Sequence, residues 1–266
     1  MEVDPNGYYR MPLSMGPIWR GEKPRFVYTQ TEAVALQYLT EPDAIASLLP
    51  DSYKLGKEPQ VTVLFGYNNG LDFMAGGSYW LAAFQVSARF DGEKDHVEGD
   101  YILVMFENKT WPIIAGREDL GVPKLYADIS PIKILPDGNL RCEVSFWGHL
   151  LFGLELSLPK KQNSIVRIAA NKIINSRPWL AYKYIPSLDG PPDVEYPTIS
   201  KNDTKIEDLW FAKTGKVFFG NAEINDIGQV KFLIDALKTL PIIEVKQALH
   251  LCGSAILRYD LSRRLR

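Results

Sequence analysis

Apolar and polar positions along the chain group into short runs of β character. Runs at 33–39, 60–67, 79–90, 101–107, 125–135, 140–158, 179–185 and 208–219 are rich in β-branched and aromatic residues. Several alternate with period two, and Gly, Asn, Asp or Pro bounds them, so each predicts a strand. Asp91-Gly92 and Asp137-Gly138 predict hairpin turns, because each dipeptide offers a residue tolerant of positive φ. Two segments carry the helical period instead. Residues 42–49 follow Glu41 and put Ile45, Leu48 and Leu49 on one face. Residues 230–240 place Val230, Leu233, Ile234 and Leu237 at helical spacing before Pro241 stops the run. Many strands with few helices predict a mainly β, α+β protein built on a curved antiparallel sheet or barrel. The richest breaker stretch, 189–197, is short and flanked by strand-like sequence, so residues 1–266 read as a single domain.

Charge narrows the partners. Thirty Lys and Arg balance 32 Asp and Glu for a net charge of -2, which gives no long-range pull toward nucleic acid. The apolar runs at 79–84 and 101–106 fall far short of the ~18 residues of a membrane span. Early Glu2 and Asp4, with no apolar run behind them, predict no secretory leader and a cytoplasmic setting. Two cysteines, Cys142 and Cys252, make no disulfide framework and read as buried apolar residues. His96, His149 and His250 are too far apart in sequence to suggest a metal pair, so no metal is expected. Nucleotide loops, zinc-protease motifs, nucleophile elbows and redox cysteine pairs are all absent from the sequence. Any chemistry is thus expected from side chains alone, with no cofactor.

One segment carries chemical information: Gly116-Arg117-Glu118, four residues, then Pro123-Lys124. A lysine after proline, at the head of a strand-like run and among Val122, Leu125 and Tyr126, resembles the signature of the acetoacetate decarboxylase family. Further matches follow in order along the chain: Gly99-Asp100-Tyr101, then Ile185-Pro186 with Asp189-Gly190, then Asp235-Ala236-Leu237 leading into Val245. The resemblance implies a cone-like β-barrel with peripheral helices, a homo-oligomer, and Lys124 as a nucleophile that forms a Schiff base with a small keto substrate. Such a nucleophile must be neutral to attack, whereas an ordinary lysine with pKa ~10.4 is almost wholly protonated at pH 7. Burial or a nearby cation supplies the difference, as is established for acetoacetate decarboxylases themselves.

Other family positions differ here. Leu125 stands where the decarboxylases carry a second lysine, and Leu81 and Leu64 fall where they carry glutamates. Thr31 falls near their pocket arginine. These changes predict a more apolar pocket and a bulkier keto substrate of the secondary-metabolite kind. The expected reaction is that of a cofactor-free lyase: β-keto acid decarboxylation, or aldol- or dehydration-type chemistry. The alternative expectation is a barrel that binds a small molecule without covalent chemistry, or an enzyme that keeps the fold but works without a Schiff base. Candidate acid, base or polarising groups are Arg117, Glu118, Asp119, Glu107 and His149. Candidate lining residues are Tyr79, Leu81, Met105, Trp111, Val122 and Leu125. The arginine-rich end, 258–266, reads as a solvated tail or a subunit contact.

Overall fold

The structure, a computed structural model, describes residues 3–266. Its frame is a 12-stranded sheet. The long strands are β1 (Arg25–Leu39), β2 (Gln60–Leu71), β3 (Gly77–Asp91) and β4 (His96–Glu107). After them come β5 (Lys124–Tyr126), β6 (Leu140–Phe146), β7 (His149–Leu156), β8 (Trp179–Ile185) and β9 (Val194–Ser200). The last three are β10 (Asn202–Ala212), β11 (Gly215–Phe219) and β12 (Glu244–Arg258). The main sheet runs β10-β12-β1-β2-β3-β4-β8-β9, with β5 added parallel to β4. A smaller five-stranded sheet contains β6, β7 and β11.

Period-two alternation divides β3 between two environments. Phe84 and Val86 point to a core shared with the smaller sheet, while Leu81 and Ala83 point the other way. In that core the Phe152 ring of β7 lies 5.0 Å from Phe84, 5.7 Å from Phe65 and 5.8 Å from Phe106. Aromatic rings at these distances pack edge-on or tilted and clamp the two sheets together. Phe152→Ala is expected to cost about 3–5 kcal/mol, read as a lowered melting temperature.

The helices are α1 (Pro42–Ala46), α2 (Thr110–Ala115), α3 (Ser164–Ser176) and α4 (Val230–Lys238). The α4 face predicted from its spacing buries Ile234 and Leu237 in the core. Among the described residues, no helix is long and apolar enough to cross a membrane.

Among the described residues the order of paired strands does not return on itself. Several expectations need correction. The run 140–158 is a hairpin, because Trp147 and Gly148 both take positive φ and Phe146 pairs with His149. The run 125–135 breaks into pieces of two or three residues around Pro131, which has no N–H to give a ladder. The run 208–219 divides between β10 and β11. The arginine-rich end is woven into the structure: Arg258 pairs with Asp203 and Asp260, Arg263 with Asp95, and Leu265 is buried.

Helix α3 packs Val166, Ala170 and Ile174 against the buried cluster of Ile206, Leu209, Leu249 and Leu251, while Ile165, Ile168 and Ile173 are exposed. Polar groups dock it as well. The Asn175 amide donates to the Thr204 carbonyl and its oxygen accepts from the Thr204 N–H, while Asn171 accepts from the Ile206 N–H. The Asn163 side chain caps its first turn. This anchoring holds the helix against β10 and sets Ile173 and Ile174 beside the inner face of the sheet.

Candidate active site

Lys124 is placed by a loop that leaves β4 and comes straight back to it. After Glu107 the chain makes α2 and a π-helical turn, Gly116–Leu120, where sequence had suggested a simple charged turn. Gly121 then adopts φ 73°, a left-handed value that glycine takes without strain and that stops the helix. The Val122 N–H donates to the Gly116 carbonyl, and the Met105 N–H to the Pro123 carbonyl. Lys124 consequently opens β5 directly beside Met105. Arg117 steadies the arrangement by donating to the Lys124 carbonyl at 3.0 Å.

The lysine side chain turns inward. It is 8% exposed, and its Nζ lies 2.7 Å from the Glu107 carboxylate and donates to the Pro112 carbonyl at 3.1 Å. Glu107 is 0% exposed. Burial raises its pKa above the ordinary glutamate value, and the adjacent Lys124 ammonium opposes that rise only in part. Lys124 is therefore not surrounded by apolar groups alone, as the loss of the family's second lysine had implied. It has a proton acceptor in contact. Its aliphatic stem packs on Gly116, where a Cβ would overlap Lys124 Cδ and Cε. Gly116→Ala is expected to displace the amine and cut ketone trapping at Lys124 at least about tenfold, with the far-ultraviolet spectrum unchanged.

The pair opens on a cavity of about 230 Å³ on the inner face of the main sheet. Tyr79, Leu81, Met105 and Val122 line it as expected, and so do Leu64 and Thr31. Tyr79 is buried near Tyr28 and Asn68, and burial raises its pKa. Six candidates lie elsewhere, Arg117 and Asp119 among them. Trp111 is 43% exposed and stacks against the Arg10 guanidinium. Leu125 faces the opposite side and packs on the main core. Glu118 accepts from the Met11 N–H on the outside of the π-helical turn. His149 is exposed at the start of β7, in the smaller sheet. Arg117 acts on backbone, not on the cavity. Glu107 is thus the one carboxylate of the candidate set that reaches the lysine.

Asp119 is also buried, but its partner is Arg10, whose Nε donates to both carboxylate oxygens at 3.0 Å. The Tyr259 hydroxyl donates to the same carboxylate at 3.2 Å. This contact spans 109 positions and ties the N-terminal segment to the π-helical turn.

β1 and β12 bring together Glu32, which also lines the cavity, with His250 and Cys252, and the ligand atoms of the three all lie within 4.8 Å of one another. Cys252 is half-buried beside His250, so it is not the plain apolar residue expected, whereas Cys142 is buried in the core. Sequence distance does not register such neighbours on adjacent strands. His250 is held by the Glu32 carboxylate at 2.8 Å.

Comparison with known proteins identifies the family. The family model described as Acetoacetate decarboxylase (ADC) matches residues 10–254. The acetoacetate decarboxylase of Clostridium botulinum is 27% identical over 193 residues, covering 70% of this chain and 71% of that protein. Acetoacetate decarboxylase 1 of Bradyrhizobium diazoefficiens is 26% identical over 243 residues, covering 91% and 87%. Among solved structures, the acetoacetate decarboxylase of Legionella pneumophila superposes with a TM-score of 0.74 at 21% identity, covering 100% of this chain and 96% of that one. The enduracididine biosynthesis enzyme MppR, complexed with the condensation product of pyruvate and imidazole 4-carboxaldehyde, gives 0.71 at 16% identity and covers 99% and 97%. The chain belongs to the acetoacetate decarboxylase family.

Proposed function

We propose that this protein is a lyase that forms a Schiff base between Lys124 and a ketone and breaks or rearranges a carbon–carbon bond beside it. The single observation that carries the reading is the buried Lys124–Glu107 pair, 2.7 Å apart, opening on the apolar cavity. Glu107 accepts a proton from the ammonium, and the freed amine attacks the ketone carbon. Loss of water leaves a protonated imine. The electron pair of the adjacent C–C bond then flows into the imine as carbon dioxide or an aldehyde departs, giving an enamine. A proton returns to the enamine carbon, and water releases the product ketone and restores the amine. The iminium is the electron sink, so the step draws only on this chain's side chains.

Glu107 suits the proton transfers because burial raises its pKa toward neutrality, where a group both takes and gives protons efficiently. Leu81 and Leu64, on the cavity floor, favour a bulkier and less charged substrate than acetoacetate. MppR, bound to a condensation product of a keto acid and an aldehyde, supports aldol-type chemistry on this fold. The test is to incubate the protein with a methyl ketone or a β-keto acid, reduce with borohydride, and weigh the protein. An adduct mapped to Lys124 is expected. If none forms, the protein is a non-covalent binder.

A further inference from the structure

Resting on that reading, we infer that Gln85 forms a second binding point in the same cavity and selects substrates with an uncharged oxygen function at the far end of the molecule. Along β3 the inward positions are Tyr79, Leu81, Ala83 and Gln85, and all four line the cavity or its apolar wall. Leu81 pairs with Glu107, whose carboxylate holds the reactive amine. Gln85 is four residues further on, ~13 Å along the strand at ~3.3 Å per residue. With its side chain reaching back, its amide meets a ligand on the order of 10 Å from the Schiff-base carbon. The wall between is formed by Leu81, Met105 and Leu64, with Ala83 in the apolar cluster beside them, and it accommodates an alkyl chain.

The Gln85 amide has the mark of a ligand contact. The residue is 4% exposed, yet its Nε2 has no hydrogen-bond partner among the described residues. A buried N–H donor left unpaired costs free energy that a ligand acceptor recovers on binding. Gln85 also stands at the head of a polar row across the sheet: it pairs with Thr62, which pairs with Gln37, and all three line the cavity. The surrounding charges are already matched. Arg177 donates twice to Asp100 at 2.7 and 2.9 Å, Lys124 faces Glu107, and Glu32 faces His250. An ionised group on the ligand would find an amide there but no free cation, and a buried charge without a counter-charge is strongly disfavoured. An ester, ketone or hydroxyl oxygen meets the donor without that cost. The substrate class is therefore a ketone on a medium-length alkyl chain that ends in a neutral oxygen acceptor.

Three probes test this. Each carries a methyl ketone and the same alkyl chain, and the far end is plain alkyl, a methyl ester or a carboxylate. Binding is read by calorimetry on the whole protein, and borohydride trapping is run separately. The ester is expected to bind about tenfold tighter than the alkyl probe, with the carboxylate weakest. Gln85→Met and Gln85→Leu should bring ester and alkyl probes within about twofold. Equal ester and alkyl binding by the wild type overturns the assignment, as does a preference for the carboxylate, no binding of any probe, or an ester preference that survives both substitutions. An intact ester preference with no borohydride adduct overturns the Schiff-base reading and leaves the Gln85 contact standing.

Discussion

Lys124→Ala removes the borohydride adduct and lowers turnover of a keto substrate by about 10⁴-fold or more, as removal of a covalent nucleophile does. Nothing else in the cavity substitutes for it: among the described residues, Lys124 is the only lysine that lines the space. The same substitution has a pH-dependent effect on stability. It strands Glu107, which is 0% exposed and loses its counter-charge. Burial already raises the Glu107 pKa, and without Lys124 the rise is larger. The folded state then holds a proton on Glu107 where the unfolded chain has released it. Its stability falls as pH rises from the ordinary glutamate pKa toward the raised one. At neutral pH the expected cost is about 3–5 kcal/mol, and it shrinks near pH ~4. Melting temperatures of wild type and Lys124→Ala, measured across this range, check it. A deficit that does not vary with pH would place the Glu107 carboxylate outside the buried pair.

Glu107→Gln keeps the shape of the site and removes the proton acceptor. Turnover is expected to fall by about 10²–10⁴-fold, the range for loss of a positioned acid–base group. The wild-type rate should rise with pH as Glu107 ionises, with a midpoint above the ordinary glutamate value because burial holds that pKa up. The glutamine variant should lack this acid limb, since the amide does not titrate there. A merely structural glutamate would lower the rate at every pH and leave the profile's shape unchanged. Pre-steady-state trapping separates the steps: in the glutamine variant, formation of the imine slows along with turnover, because the ammonium has no acceptor in contact.

Much of the molecule is legible from residue order, and the parts that are not share a cause. The strands at 60–71, 77–91 and 96–107 follow from alternation, and α4 from its i, i+3, i+4, i+7 spacing. These patterns are local, since each residue's neighbour in sequence lies on the opposite face of its strand or further round its helix. Lys124 is legible because the Gly-Arg-Glu turn and Pro123 surround it in sequence. Helix α3 is not, because exposed Ile165, Ile168 and Ile173 blur the Val166, Ala170 and Ile174 stripe that packs on the sheet, and polar bonds from Asn171 and Asn175 complete its docking. Trp111, Leu125 and His149 carry the right chemistry for a site but face other surroundings, and the side a residue faces depends on strand breaks and turns such as Trp147-Gly148.

The sequence by itself determined the family, singled out Lys124 as the candidate nucleophile, and placed leucine at 64, 81 and 125. All of these are read from residue type and short spacing. Only the tertiary structure decided which carboxylate attends the lysine. Glu107 and Lys124 are separated by α2, a π-helical turn and a left-handed glycine, and parallel pairing of β5 with β4 brings them to 2.7 Å. The same pairing buries both and gives Glu107 its raised pKa, which a residue has only from its surroundings.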